Sequence, residues 1–289
     1  MDKVIACIAD RADGDDVCAH AAWAATRLGT PLELLHVLDR HPETAPVQPQ
    51  DLSGSIGVDA QEALLAQLAT LDEQRARVAM EHGRLLLQSA REAAERAGVA
   101  QVETRQRHGA LVDTLLELEP GTRLFVLGAG RHHREDGPGG RLHLDHRLER
   151  VVRAVQRPVL VASRGSFTAP ASALIAFDGS ATGRAMVERV AASPLLRGLP
   201  LHVVMAGGER AGREALDWAR ARLEAAGFDA QAAQLAGEAE TAIGDYQRRH
   251  GLSLLVMGAY GHSRIRQLIV GSTTTTMLRT SAVPVLILR

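Results

Sequence analysis

Gly258, Gly261 and Gly271-Ser272 are separated by two and nine residues, and the last pair opens the run Gly271-Ser272-Thr273-Thr274-Thr275-Thr276. An apolar run, Leu254-Leu255-Val256-Met257, leads into the first glycine, and a helical pattern follows Ser272 towards Pro284. Ser272 or a following threonine is a good N-cap, and the first-turn amides of a helix have no intrahelical partner. Such amides, the positive helix end and several hydroxyls converge on one point and suit an anion. Glycines let a backbone approach a ligand where a Cβ would intrude. A second chemical feature is Asp178-Gly179-Ser180, a carboxylate at the end of the apolar run Ala173 to Phe177. Together these parts fit a phosphorylated ligand lying on backbone amides. They fit equally well a set of tight turns and a capped helix.

Other chemistries are poorly supplied. Lys3 is the only lysine, so the chain has no GxxxxGK[ST] phosphate loop, no kinase strand lysine and no Schiff-base lysine. Cys7 and Cys18 have ten residues between them, which fits neither a redox CxxC nor a zinc knuckle, and both read as inert thiols. His132-His133 and His143-Leu144-Asp145-His146 read as a histidine-rich surface loop rather than a metal centre. His262, Arg264 and Arg266 follow Gly261, where they meet either phosphate or solvent. The 33 basic residues against 34 acidic ones leave a net charge of -1, which argues against nucleic-acid binding by phosphate neutralisation. No apolar run reaches the ~20 residues of a membrane-spanning helix. The first residues have no signal-peptide core, so a cytoplasmic protein is expected.

A length of 289 residues suggests about two domains, and an internal repeat supports that number. Leu124-Phe125-Val126-Leu127-Gly128-Ala129 matches Leu254-Leu255-Val256-Met257-Gly258-Ala259, and Pro158-Val159-Leu160-Val161 matches Pro284-Val285-Leu286-Ile287. Leu35-His36-Val37 is matched to Leu201-His202-Val203, with the segment 165–170 as linker. Each copy alternates short, wholly apolar runs with alanine-rich amphipathic stretches, in the order βαβαβαβαβ. A parallel sheet with helices on both faces is expected for each. The first copy carries extra residues, about 41–75, beginning with a Pro- and Gln-rich stretch. A long helix or helical pair follows over 60–97, with Leu64, Leu65, Leu68 and Leu71 at helical spacing. Trp23 and Trp218 fall on predicted helices and read as packing residues.

The spacing G-2X-G-9X-G-[ST] at Gly258, Gly261, Gly271 and Ser272 resembles that of the universal stress protein family, as do the DGS, LHV and PVL segments. The resemblance covers the whole chain as two tandem copies, 1–165 and 171–289. It implies an α/β fold of two tandem five-stranded parallel sheets, strand order 3-2-1-4-5, similar to adenine nucleotide alpha hydrolases. For the second copy it implies ATP binding. Asp178 would lie near the nucleoside or a Mg ion, Val203 would meet adenine through its backbone, and Met257 would form part of an apolar wall. Gly258 and Gly261 would line ribose and phosphate, and Gly271, Ser272, Thr273 and Thr274 would hold the phosphates.

The first copy departs from this pattern. Its first strand ends Ala9-Asp10-Arg11 in place of DGS, Gly130 comes one position early, and Asp145-His146 stands where Gly271-Ser272 would be. A carboxylate beside a phosphate costs on the order of 1–4 kcal/mol, so this copy reads as degenerate, with ATP in the C-terminal copy alone. No catalytic base is evident, and the function expected is nucleotide sensing; a slow ATPase or phosphotransferase and a nucleotide-free protein-binding scaffold are the alternatives. The last strand of each copy would be an exposed apolar edge, so the two copies are expected to pair through those strands. A further homodimer is allowed but not required: Leu64, Leu65, Leu68 and Leu71 form a surplus apolar stripe whose commoner fate is packing on its own domain, and the protein partner is left unidentified.

Overall fold

The computed structural model describes residues 2–38, 58–130, 146–163, 165–207, 210–259 and 272–289. The first copy runs β1 (Lys3–Cys7), α1 (Arg11–Leu28), β2 (Leu32–Leu38), α2 (Val58–Arg96), β3 (Val102–His108), α3 (Leu111–Leu118), β4 (Thr122–Gly128), α4 (His146–Ala154) and β5 (Val159–Ala162). The second runs β6 (Ala173–Ala176), α5 (Ala181–Ala192), β7 (Leu201–Ala206), α6 (Arg210–Ala225), β8 (Ala230–Leu235), α7 (Ala239–His250), β9 (Leu255–Gly258), α8 (Ser272–Thr280) and β10 (Val285–Leu288).

The strands lie in the order β3-β2-β1-β4-β5-β10-β9-β6-β7-β8, so each copy has the 3-2-1-4-5 arrangement. Instead of two open sheets there is one continuous sheet of ten strands. Every pairing within a copy is parallel, and the single β5–β10 junction is antiparallel. This junction is the expected solution to the edge problem: each apolar edge satisfies the other's backbone groups. Helices α1, α2, α5 and α6 bury one apolar layer against the sheet, and α3, α4, α7 and α8 bury the other. Both layers contain residues from both copies. Arg27 Nε adds a cross-copy bond of 2.8 Å to the Leu195 carbonyl. Among the described residues no helix is long and apolar enough to cross a membrane.

The register corrects one sequence match. Val126 and Val256 are equivalent by the glycine repeat, and they pair with Ala6 and Ile175. Those two residues pair in turn with Leu34 and Val203. Val203 is therefore the counterpart of Leu34, and Leu35-His36-Val37 corresponds to Val204-Met205-Ala206. The tripeptide similarity misleads because strands buried on both faces share composition along their length, which leaves register unspecified.

The extra residues of the first copy lengthen its second helix, which is one continuous helix of 39 residues against 16 in α6. Its C-terminal half packs on the sheet through Leu86, Leu87, Ala90 and Ala94. Gly83 is required where the helix crosses β2 and β3, because a Cβ there would lie 2.5 Å from the His36 ring and 2.4 Å from Gln106 Nε2.

Candidate functional site

In the second copy the strand order reverses between β6 and β9, and the carboxyl ends of strands at such a reversal are where open α/β sheets take ligands. Asp178 sits two residues past the end of β6. Its Oδ1 accepts from the Ser180 amide at 3.0 Å and the Ser180 hydroxyl at 2.7 Å. Ser180 is also the N-cap of α5, accepting from the Gly183 amide at 3.0 Å. Gly179 turns the chain with φ +73°, the left-handed region that glycine enters without strain. Gly183 has a steric role: a Cβ there would lie 2.4 Å from Asp178 Oδ1. The carboxylate thus occupies the space that a side chain at 183 would fill.

On the other side, the β9 backbone alternates in direction. Ala259 donates to Leu288 of β10, and the Leu254 carbonyl accepts from Leu174 of β6. Gly258 shares the direction of Leu254 and faces the reversal point. Its carbonyl accepts from Thr274 Oγ1 at 3.2 Å, which ties the first turn of α8 to the strand end. Thr274 is buried, while Thr273 donates its hydroxyl to Glu240 Oε1 at 2.9 Å. Both threonine hydroxyls are therefore engaged within the protein, and the first-turn amides are what α8 offers to an anion. Met257 is buried in the layer beneath α7 and α8, beside Ile243, Tyr246 and Met277.

Val203 does not fill the expected place. Leu201 and Gly207 donate their amides to Asp229 and Leu235 on the β8 side. Val203 alternates in step with them, so its backbone groups belong to β8. Val204, by contrast, accepts from Phe177 on the β6 side. Ala206, two residues on, faces the same way beyond the point where β6 has ended, and its backbone borders the reversal point. Sequence reading also missed Glu240. Its position at the start of α7 signals only a favourable first-turn charge.

The first copy solves the same corner differently. Ala9 stands at the strand position of Asp178. Asp10 caps the helix that follows, its Oδ1 accepting from the Asp13 amide at 3.0 Å. An acid of α1 lies against the end of β4 instead: a Cβ on Gly128 would lie 3.3 Å from Asp13 Cβ and 3.6 Å from its Oδ2. The helical counterpart of Gly183 is Gly14, since a Cβ on Gly14 would meet Ile8 as one on Gly183 would meet Phe177; Asp13 stands one residue before it, at the position of Thr182. His36 closes the region further, with Nδ1 2.6 Å from the Ile8 carbonyl and α2 lying over its ring.

Gly261, Gly271, Arg131, His132, His133, His143, Asp145, His262, Arg264 and Arg266 lie outside the described residues, as do the side chains of Ser272 and His146. Among the described residues there is no group of three or more His, Cys, Asp or Glu side chains that could hold a metal ion. Cys7 and Cys18 are buried, and burial pushes their thiols up to about 12 and about 11.

The universal stress protein family model matches residues 1–163 and 204–289. A universal stress protein of Synechocystis sp. is 37% identical over 284 residues, covering 96% of this chain and 97% of that protein. Among solved structures, a universal stress protein from Archaeoglobus fulgidus shares the fold with a TM-score of 0.68 at 16% identity, covering 99% of this chain and 96% of that one. A functionally unknown protein from Pseudomonas aeruginosa does so with a TM-score of 0.62 at 17% identity, covering 100% of this chain and 92% of that one.

Proposed function

The chain belongs to the universal stress protein family, and from that premise we infer that its second copy binds one ATP as a sensed or structural ligand in the cytoplasm, while the first copy binds none. The observation that carries this reading is the contrast at one corner. The second copy joins Asp178, the Gly258 end of β9 and the tethered N-terminus of α8, with Gly183 leaving room for the Asp178 carboxylate. In the first copy Ala9 replaces the strand-end acid, and Asp13 stands against Gly128. Phosphates lie on the first-turn amides of α8, near Gly261, Gly271 and Ser272, and adenine meets the Ala206 backbone rather than that of Val203.

Mg fits this site only together with the nucleotide. Among the described residues Asp178 is the carboxylate just past the end of β6, and one of its oxygens is engaged by Ser180. Mg is commonly held by one or two carboxylates plus substrate phosphates, which matches that supply. When bound, it would neutralise phosphate charge. Asp178 would hold the metal, and the α8 amides would orient the phosphates.

Calorimetric titration with ATP tests the reading. The expected stoichiometry is near one, and Gly271→Asp is expected to abolish binding while the far-ultraviolet spectrum and melting transition persist. A stoichiometry near two, or ATP binding unaffected by Gly271→Asp, refutes it. Phosphate release followed over hours distinguishes this ligand role from slow hydrolysis; the sensor reading expects none above background.

A further inference from the structure

Every residue from Leu65 to His82 of α2 is exposed, so this stretch of helix projects from the sheet and is covered by no described residue. Such a helix should be polar all round, yet Leu65, Leu71, Val78 and Leu85 are 58%, 48%, 70% and 51% exposed. Leu71, Val78 and Leu85 recur every seven residues, and the sequence extends that spacing back to Leu64. A seven-residue apolar repeat is the pattern of a helix that packs along another helix. At 100° per residue, Leu85, Val78 and Leu71 lie about 200°, 220° and 240° round the axis from Gly83. Gly83 is on the face that α2 presses against its own strands, with Leu87 and Ala90 beside it. Leu71 and Val78 therefore lie beyond the core, whereas Leu85, nearer the sheet, lines a crevice with Ile8 and Gly14.

We propose that this stripe is a dimer interface, in which the α2 helices of two copies of the chain pack antiparallel along Leu68, Leu71 and Val78. Charge selects both the partner and the direction. The intervening seam positions hold Arg75 and His82. A parallel, in-register pair would stack Arg75 on Arg75 and His82 on His82. The antiparallel pair that sets Leu68 opposite Val78 of the second copy places Arg75 opposite Leu71, with Asp72 one residue further along. Arg75 already lies 3.5 Å from Asp72 within its own helix, and the two-fold axis lets each guanidinium reach the other helix's carboxylate. One seam thus supplies both its apolar and its charged complement, which is what an isologous interface requires. Antiparallel packing also keeps the two bodies at opposite ends of the helix pair. Over residues 65–81 of each helix the seam is about 26 Å long and about 10 Å wide and buries on the order of 500 Å² in total, the range of a weak, reversible contact rather than an obligate one.

Sedimentation velocity on the full chain, from about 1 μM to about 500 μM, tests the proposal. The weight-average mass is expected to rise from 30.9 kDa towards twice that value. Val78→Glu should hold it at the monomer value across the range with the thermal transition unchanged. Direction is read by oxidation with diamide, the two native thiols being buried. The double variant Leu68→Cys with Val78→Cys should cross-link, and neither single variant should. A chain that stays monomeric throughout, a dimer that survives Val78→Glu, cross-linking by a single variant, or a stripe that captures only a different protein would each overturn the proposal.

Discussion

Leu160 and Leu286 face each other at the centre of the antiparallel β5–β10 junction, flanked by the pairs Val161–Val285 and Val159–Ile287. Each is the last residue of the same Pro-Val-Leu segment in its own copy, so the junction pairs a sequence with its own repeat about a pseudo-two-fold axis. Both leucines are buried, and the two apolar layers run across the junction without a break.

Because the layers are shared, the copies should unfold together. Trp23 belongs to the first copy and Trp218 to the second, and both pack on the same layer. Single-tryptophan variants, Trp218→Phe and Trp23→Phe, should report the same denaturant midpoint. Leu286→Ala should lower stability by about 2–5 kcal/mol and shift both reporters equally. Separate midpoints would show that the copies are energetically independent.

Glu240 accepts a hydrogen bond from Thr273 in the first turn of α8, next to the proposed phosphates. Its charge opposes theirs, whereas Glu240→Gln keeps an acceptor for the threonine and removes the repulsion. ATP affinity should rise about fivefold, equivalent to about 1 kcal/mol. Calorimetry without Mg measures it. A fall in affinity would mean that the carboxylate draws in a cation that the nucleotide needs.

Asp178→Asn separates shape from charge. The amide oxygen can still accept from Ser180, so stability should change by less than about 1 kcal/mol. If Asp178 holds Mg beside ATP, affinities measured with Mg and with EDTA should converge in the variant and differ in the parent chain.

The thiols set an alkaline limit. Burial raises Cys7 to about 12 and Cys18 to about 11, from an ordinary value of 9.0. Tyr246 is also raised by burial, an effect partly offset by Arg249. The unfolded chain loses these protons first, so their contribution is complete below about pH 9 and declines as pH climbs towards 11 and 12. Each thiol should remove about 1.4 kcal/mol per pH unit in that window. Urea unfolding at pH 8, 9 and 10 measures the slope. Cys7→Ala should flatten it, and Ellman's reagent should find no reactive thiol in the native protein at pH 8.

Burial acts in the opposite sense on His20, whose pKa falls because the charged form is desolvated, an effect partly offset by the Asp16 carbonyl and charge. This contribution is present above pH 6.5 and is lost as pH drops below it, when the unfolded chain takes up the proton first. Replacing His20 with Gln should reduce the loss of stability between pH 6.5 and 5, measured by thermal melting.

Much of the molecule is legible in the amino acids themselves. The repeat of Leu-Phe-Val-Leu-Gly in Leu-Leu-Val-Met-Gly marks two copies of one fold, because strands buried on both faces demand unbroken apolar runs. Exposed edges on Val159–Val161 and Val285–Ile287 are enough to expect their pairing. The glycine spacing from Gly258 marks the end of β9 as the place to look for a ligand, and Gly258 is the last residue of that strand. What the chain could not reveal is direction and distance. Backbone groups alternate sides along a strand, so whether Val203 or Ala206 borders the reversal point depends on register, which similar apolar triplets leave open. Asp10 and Asp13 are both acids at a helix start, and only the packing of α1 on β4 makes one a cap and sets the other against Gly128. Glu240 meets Thr273 across 33 residues of sequence, a contact that exists only because α7 and α8 pack side by side. The leucines of α2 look like core residues by spacing. The sheet beneath that helix ends near Gly83, and everything N-terminal to it is left without a surface to cover it.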